Sequence, residues 1–151
     1  MYTFDTSFIV KGLVPPRRKK DDQIYQKQLN MHLIAKQYLS EVEKKKKGMF
    51  IPSLALIETA AVISRITGDE KEAREAVWFL QENAIKIYYD IELLDEAIST
   101  GIITKASGFD IIFLTVAKIT ETELLTDDKR MYKLSLESKM KTSLLRNLAP
   151  K

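Results

Sequence analysis

The sequence of 151 residues contains no cysteine. That absence removes thiolate zinc sites, cysteine nucleophiles and a disulfide-stapled secreted scaffold together, because each needs a thiol. Histidine is nearly absent too: His32 stands alone in a helical stretch, with no second imidazole for a metal site, and is read as surface or packing. No apolar run approaches the ~18 residues of a membrane span. The first residues, Met1-Tyr2-Thr3-Phe4-Asp5, lack the basic-then-apolar layout of a signal peptide. These absences give the expectation of a soluble, unprocessed, cytoplasmic protein.

What is present is an ordinary globular balance, with 45% hydrophobic and 30% charged residues. At this length a core forms without staples, and one domain over residues 1–151 is expected. The net charge of +3 conceals an uneven distribution. Residues 1–47 carry 11 basic and 5 acidic side chains, and residues 48–151 carry 13 and 16. A basic excess of this kind is weak grounds for a polyanionic partner unless its placement says more.

Four short segments rich in β-branched or aromatic residues, at 2–4, 49–51, 85–89 and 123–126, alternate with helical patterns. Helices are predicted over 23–47, closed by Gly48, and over 52–66, closed by Thr67-Gly68. Further helices are predicted over 69–83, 91–105, 109–121 and 128–138. Residues 140–148 are a candidate edge strand. Alternation of this kind predicts an α/β fold of three layers, α/β/α, with a central parallel sheet of four to five strands. Between the first two strands lies the loop Pro15-Pro16-Arg17-Arg18-Lys19-Lys20-Asp21-Asp22, kept irregular by its prolines and like charges.

Certain acids sit where hydrophobes belong. In the helix after Pro52, Leu54, Ile57 and Ala61 mark an apolar stripe, and Glu58 occupies the same stripe. A carboxylate there is protonated, paired with a cation or bound to a metal, unless it simply reaches solvent at the helix edge. Asp110 likewise heads the stripe Phe113, Leu114, Ala117. Its alternative is a capping box with Ser107. Asp5 closes the first strand and Asp127-Asp128 follow the fourth, positions that suit N-caps. They also suit the ligand crevice beyond the carboxyl ends of a parallel sheet. Asp5, Glu58, Asp110 and Asp128 can all reach one crevice. Four carboxylates there need compensation, which a hard divalent cation provides. An all-oxygen set points to Mg²⁺ or Mn²⁺.

At these residues the chain resembles the PIN-domain ribonucleases, in particular the VapC-like toxins of toxin–antitoxin pairs. Phe4-Asp5-Thr6-Ser7-Phe8-Ile9 looks like the opening strand and first acid. Ile51-Pro52-Ser53 leading to Leu56-Ile57-Glu58 matches the second acid. Gly108-Phe109-Asp110 through Leu114 matches the third, and Leu124-Leu125-Thr126-Asp127-Asp128 the fourth, with Asp128 favoured over Asp127. The resemblance implies Mg²⁺- or Mn²⁺-dependent hydrolysis of RNA, with Asp5, Glu58, Asp110 and Asp128 as catalytic metal ligands. It makes Ser7, Thr126 and Asp127 supports that orient them. It further implies a homodimer and a small antitoxin protein. Alternatives are a PIN-fold RNA-processing or quality-control nuclease, a non-catalytic RNA- or protein-binding module, and a receiver-like signalling domain. The last needs an acidic pair after the first strand, where only Asp5 stands. Arg17, Arg18, Lys19 and Lys20 are candidates for RNA phosphate contacts; a solvated loop is the alternative. Trp78, Tyr88 and Tyr89 are read as packing residues.

Overall fold

The short β-branched runs become strands because helices cover both of their faces. The structure, a computed structural model, describes residues 1–149. Its strands are β1 (Tyr2–Phe4), β2 (Met49–Pro52), β3 (Lys86–Tyr88), β4 (Glu123–Thr126) and β5 (Thr142–Leu144). All neighbouring pairs are parallel, in the order β3-β2-β1-β4-β5. Every residue of β1 is buried, as are Leu124, Leu125 and Thr126 of β4, the pattern of strands covered on both sides. The expected edge strand over 140–148 is realised only as β5, after which Leu145–Asn147 turn into a short 3₁₀ helix.

The helices are α1 (Thr6–Leu13), α2 (Gln23–Glu43), α3 (Ser53–Thr67), α4 (Glu70–Asn83), α5 (Asp90–Thr104), α6 (Asp110–Ile119) and α7 (Lys129–Glu137). Helix α1 packs on α2 and α3, and α3 on α4; α5 packs on α6 and α7. The chain steps one way along the sheet from β1 to β3 and the other way from β3 to β5, so crossovers of the usual right hand put these two groups on opposite faces. No helix among the described residues is long and apolar enough to cross a membrane. Phe4, Phe8, Ile51, Leu114, Leu124 and Leu125 are fully buried at the centre. Tyr2, Phe4, Phe8 and Tyr38 stack in a chain of ring contacts with centroids 5.4–5.8 Å apart.

Several sequence expectations change in physical detail. Helix α2 stops at Glu43 rather than running to 47, and Lys45, at φ 56°, makes the left-handed turn assigned to Gly48. Gly48 instead allows close approach, since a Cβ there would lie 2.3 Å from Ile85 Cδ1 and 3.0 Å from Met1 Sδ. Gly68 does close α3 in the left-handed region, at φ 68°. Trp78 is 64% exposed and Tyr89 59% exposed, so neither is a core residue; Tyr88 is half-buried, with Lys86 Nζ over its ring. His32 is a packing residue: buried, with Nδ1 2.8 Å from the Lys11 carbonyl, which fixes the proton on Nδ1.

The sheet order carries the functional consequence. From β1 the chain winds outward through β2 to β3, then returns past β1 to β4 and winds outward the other way. Strands β1 and β4 are therefore the switch point of a doubly wound sheet, where connections diverge and a crevice opens beyond the strand ends.

Candidate functional site

Asp5 leaves the end of β1 directly at that crevice. Its carboxylate does not cap α1. Oδ2 accepts from Ser7 Oγ at 2.5 Å and from Thr126 Oγ1 at 2.6 Å. These hydroxyls are themselves fixed, because the Asp127 amide donates to Ser7 Oγ and the Asp128 amide to Thr126 Oγ1, both at 2.9 Å. The two strand ends are thereby stitched together around one carboxylate oxygen. Asp5 is only 6% exposed, and burial pushes its pKa up. The Ser7 and Thr126 hydroxyls pull it back, and the charge of Asp128 raises it further.

Glu58 arrives from the second turn of α3, half-buried, and Thr6 Oγ1 donates to its Oε2 at 2.5 Å. The apolar stripe expected around it is displaced. Leu54, Ala55, Thr59 and Ile63 form the buried face, while Ile57 is 67% exposed and Ala61 is also exposed. Glu58 flanks the buried face, at the margin between α3 and the crevice. Burial again raises its pKa foremost; the Thr6 hydroxyl opposes this, and the charges of Asp5 and Asp110 add to it.

Asp110 is the first residue of α6, and Phe109, without a side-chain cap, holds the N-cap position. The capping box with Ser107 does not form. Ser107 Oγ accepts from Arg130 Nη2, and Arg130 Nε stands 3.9 Å from Asp110 Oδ2. Burial raises the Asp110 pKa, Arg130 lowers it, and Asp128 and Asp5 raise it. Asp128 does cap, receiving the Arg130 amide at 2.6 Å and the Met131 amide at 3.1 Å, both on Oδ1.

A common design emerges. Asp5, Glu58 and Asp128 each have one oxygen tethered by hydroxyls or amides, while no side chain among the described residues holds the other. The acids also repel one another across the crevice: Asp5 with Asp128, Glu58 with Asp5, and Asp110 with Asp5, Asp128 and Glu58. No ion pair to Asp5 or Glu58 occurs among the described residues. As the side chains stand, no three acidic or histidine groups among those residues close into a ready-made cation cage. The donor set nevertheless fits a hard divalent cation: oxygen-only, with bare oxygens and a surplus of negative charge partly removed from water.

The remaining expected residues divide. Ser7 and Thr126 hold Asp5 as described. Asp127 supports through its amide alone, since its carboxylate turns away to Arg146 Nη2 at 2.9 Å. The basic loop stays on the surface, with two of its cations engaged by the protein itself: Arg18 clamps Asp22 through Nε and Nη2, and Arg17 donates to the Ile66 carbonyl at 3.3 Å. Lys19 and Lys20 are exposed. Thr6, Arg130 and Arg146 join the set only in the structure. Only Thr6 carried a signal, as the middle residue of Asp5-Thr6-Ser7, where a first helical turn must aim one hydroxyl at a neighbouring helix.

A family model described as PIN domain matches residues 2–136. No curated protein matches the chain.

Proposed function

The chain belongs to the PIN-domain family, a nuclease-type fold, and on that premise we propose that it is an endoribonuclease hydrolysing RNA phosphodiesters with Mg²⁺ or Mn²⁺. The observation that carries this reading is the half-tethered acid set: Asp5, Glu58 and Asp128 each offer one fixed and one bare oxygen, with Asp110 opposite. Asp5, Glu58, Asp110 and Asp128 are the residues that would hold the cation. A bound divalent ion supplies water of lowered pKa and neutralises charge developing on the phosphate. The protein's part is positional. Ser7 and Thr126 lock the Asp5 carboxylate in one orientation, Thr6 does the same for Glu58, and the α7 cap aims Asp128. Arg130, beside Asp110 at the crevice rim, is placed to meet a substrate phosphate.

Within this reading, the chain acts as the toxin of a toxin–antitoxin pair, with a small antitoxin protein as partner. The support is the ordered resemblance of its four acidic segments to VapC-like toxins. It also acts as a homodimer. A specific observation favours the second copy: Ile91, Leu94, Ile98 and Ile102 repeat along one face of α5 and are all exposed, Ile91 to 82%.

The test is cleavage of single-stranded RNA by purified protein. Activity with Mg²⁺ or Mn²⁺, lost in excess chelator and restored by either ion, is the expected result. Hydrolysis by water should leave no 2′,3′-cyclic phosphate ends. Full activity in chelator would overturn the reading.

A further inference from the structure

Beside the acid crevice runs a groove whose charge is of the opposite sign. It has a volume of about 560 Å³ and is lined by Lys11, Gln23, Lys27, Gln28, Asp127 and Arg146 among others. Asp127 is its one acid. That carboxylate is already neutralised by Arg146 at 2.9 Å, and its side chain is only 10% exposed. Lys11 and Lys27 have no ion pair among the described residues. The groove adjoins a second depression of about 180 Å³ that shares Lys11 and Gln28 and reaches Arg17. Its near end is one residue from Asp128, since the Asp127 amide is bonded to Ser7 Oγ in the crevice.

Local stability does not account for all of these cations. Lys11 sits in the last turn of α1, where a cation is favoured. Lys27 sits near the start of α2, where the dipole disfavours one; the acids at that end, Asp21 and the N-cap Asp22, are engaged by Gln26 and by Arg18 and the Tyr25 amide, and residues 23–37 contain no acid. A stretch of helix without carboxylates, in a chain with 30% charged residues, leaves a standing positive potential over the groove.

We propose that the groove bounded by Lys11, Lys27 and Arg146 is a binding subsite for the phosphate backbone of single-stranded RNA, holding the strand on one flank of the acid crevice. The inference rests on the ribonuclease reading for the identity of the polyanion. The groove supplies contacts that hold any sequence, because phosphates carry none. It also provides the positive charge that lets an acidic crevice receive RNA.

The experiment measures binding of a fluorescent phosphorothioate oligoribonucleotide at fixed Mg²⁺ across a range of monovalent salt. Wild type is compared with a Lys11→Gln/Lys27→Gln double variant. Loss of two phosphate contacts should make the slope of log K against log salt shallower by about 1.4, and affinity at 0.1 M salt should fall about 10- to 30-fold. A Lys11→Arg/Lys27→Arg variant should restore the slope, which a merely structural defect would not permit. An unchanged slope in the glutamine variant would overturn the proposal. So would an unchanged slope with lost binding of a polyglutamate probe, which would assign the groove to an acidic protein partner. Wild-type protein that binds with the full slope yet cuts nothing with Mg²⁺ or Mn²⁺ would instead sink the ribonuclease reading and leave the groove standing.

Discussion

Asp5 is a residue whose charge the fold tolerates at a cost. Its pKa is raised, chiefly by burial, so the ionised form is less favourable in the folded than in the unfolded chain. The sign follows: its contribution to stability is most favourable below the ordinary value of 3.8 and is lost as pH rises through the raised folded value. Asp5→Asn should therefore raise the Tm of chelator-treated protein at pH 7, by about 2–4 °C for each kcal/mol relieved. The gain should shrink as pH falls, and the two proteins should converge below about pH 4. Thermal melts between about pH 3 and 8 check this; a variant less stable than wild type at pH 7 would contradict it. Added Mg²⁺ should reverse the order by stabilising wild type more than the variant. Asp5, Asp110 and Asp128 were legible in the sequence because strand ends and helix starts are locally encoded. The stripe that singles out Glu58 in the sequence is displaced in the structure: Ile57 and Ala61 face out, and the real buried face runs through Ala55 and Thr59. A stripe read from so short a helix is uncertain by about one position, or 100°, and only the neighbouring helices fix its rotation.

Helix α1 shows the same division between local and tertiary information. Its existence follows from the apolar run after Asp5, but its spacing from α2 depends on Gly12. A Cβ there would lie 2.5 Å from Leu39 Cδ1 and 3.1–3.2 Å from the Ala35 backbone carbonyl. Leu39 can move aside; the backbone of a 21-residue helix cannot do so cheaply. Gly12→Ala should destabilise by about 1–2 kcal/mol despite alanine's better helix propensity, because overpacking outweighs that gain of about 1 kcal/mol. Denaturant unfolding measures the effect, and a stabilised variant would show that α1 and α2 are not in close contact. The break between α3 and α4 was legible because Gly68 takes a left-handed cap and Asp69 caps the start of α4 with two amide bonds. The end of α2 was not, because Lys45 takes a left-handed turn that favours glycine, and Gly48 serves a packing contact.

Across the whole molecule, alternating elements sufficed to read a parallel sheet. They did not give the strand order, and the order makes the site by bringing β1 beside β4. The uneven charge also gains a geometry. The basic excess of the first 47 residues is not concentrated in Arg17–Lys20, where Arg18 is spent on Asp22, but includes Lys11 and Lys27 on the groove wall. At this scale the apolar face of α5 should be covered by a second copy, and Ile98→Glu should turn a sedimenting dimer into monomer without lowering helix content. A wild type that remains monomeric at high micromolar concentration would contradict that. The half-tethered acids exist for chemistry rather than for the fold. The most direct test of this is the single-turnover rate of RNA cleavage at saturating Mn²⁺ for wild type, Asp5→Asn, Glu58→Gln, Asp110→Asn and Asp128→Asn, each checked for folding. Asp5→Asn and Glu58→Gln should each lose at least about 100-fold with the fold intact; wild-type rates in both would show that the acids serve the fold alone.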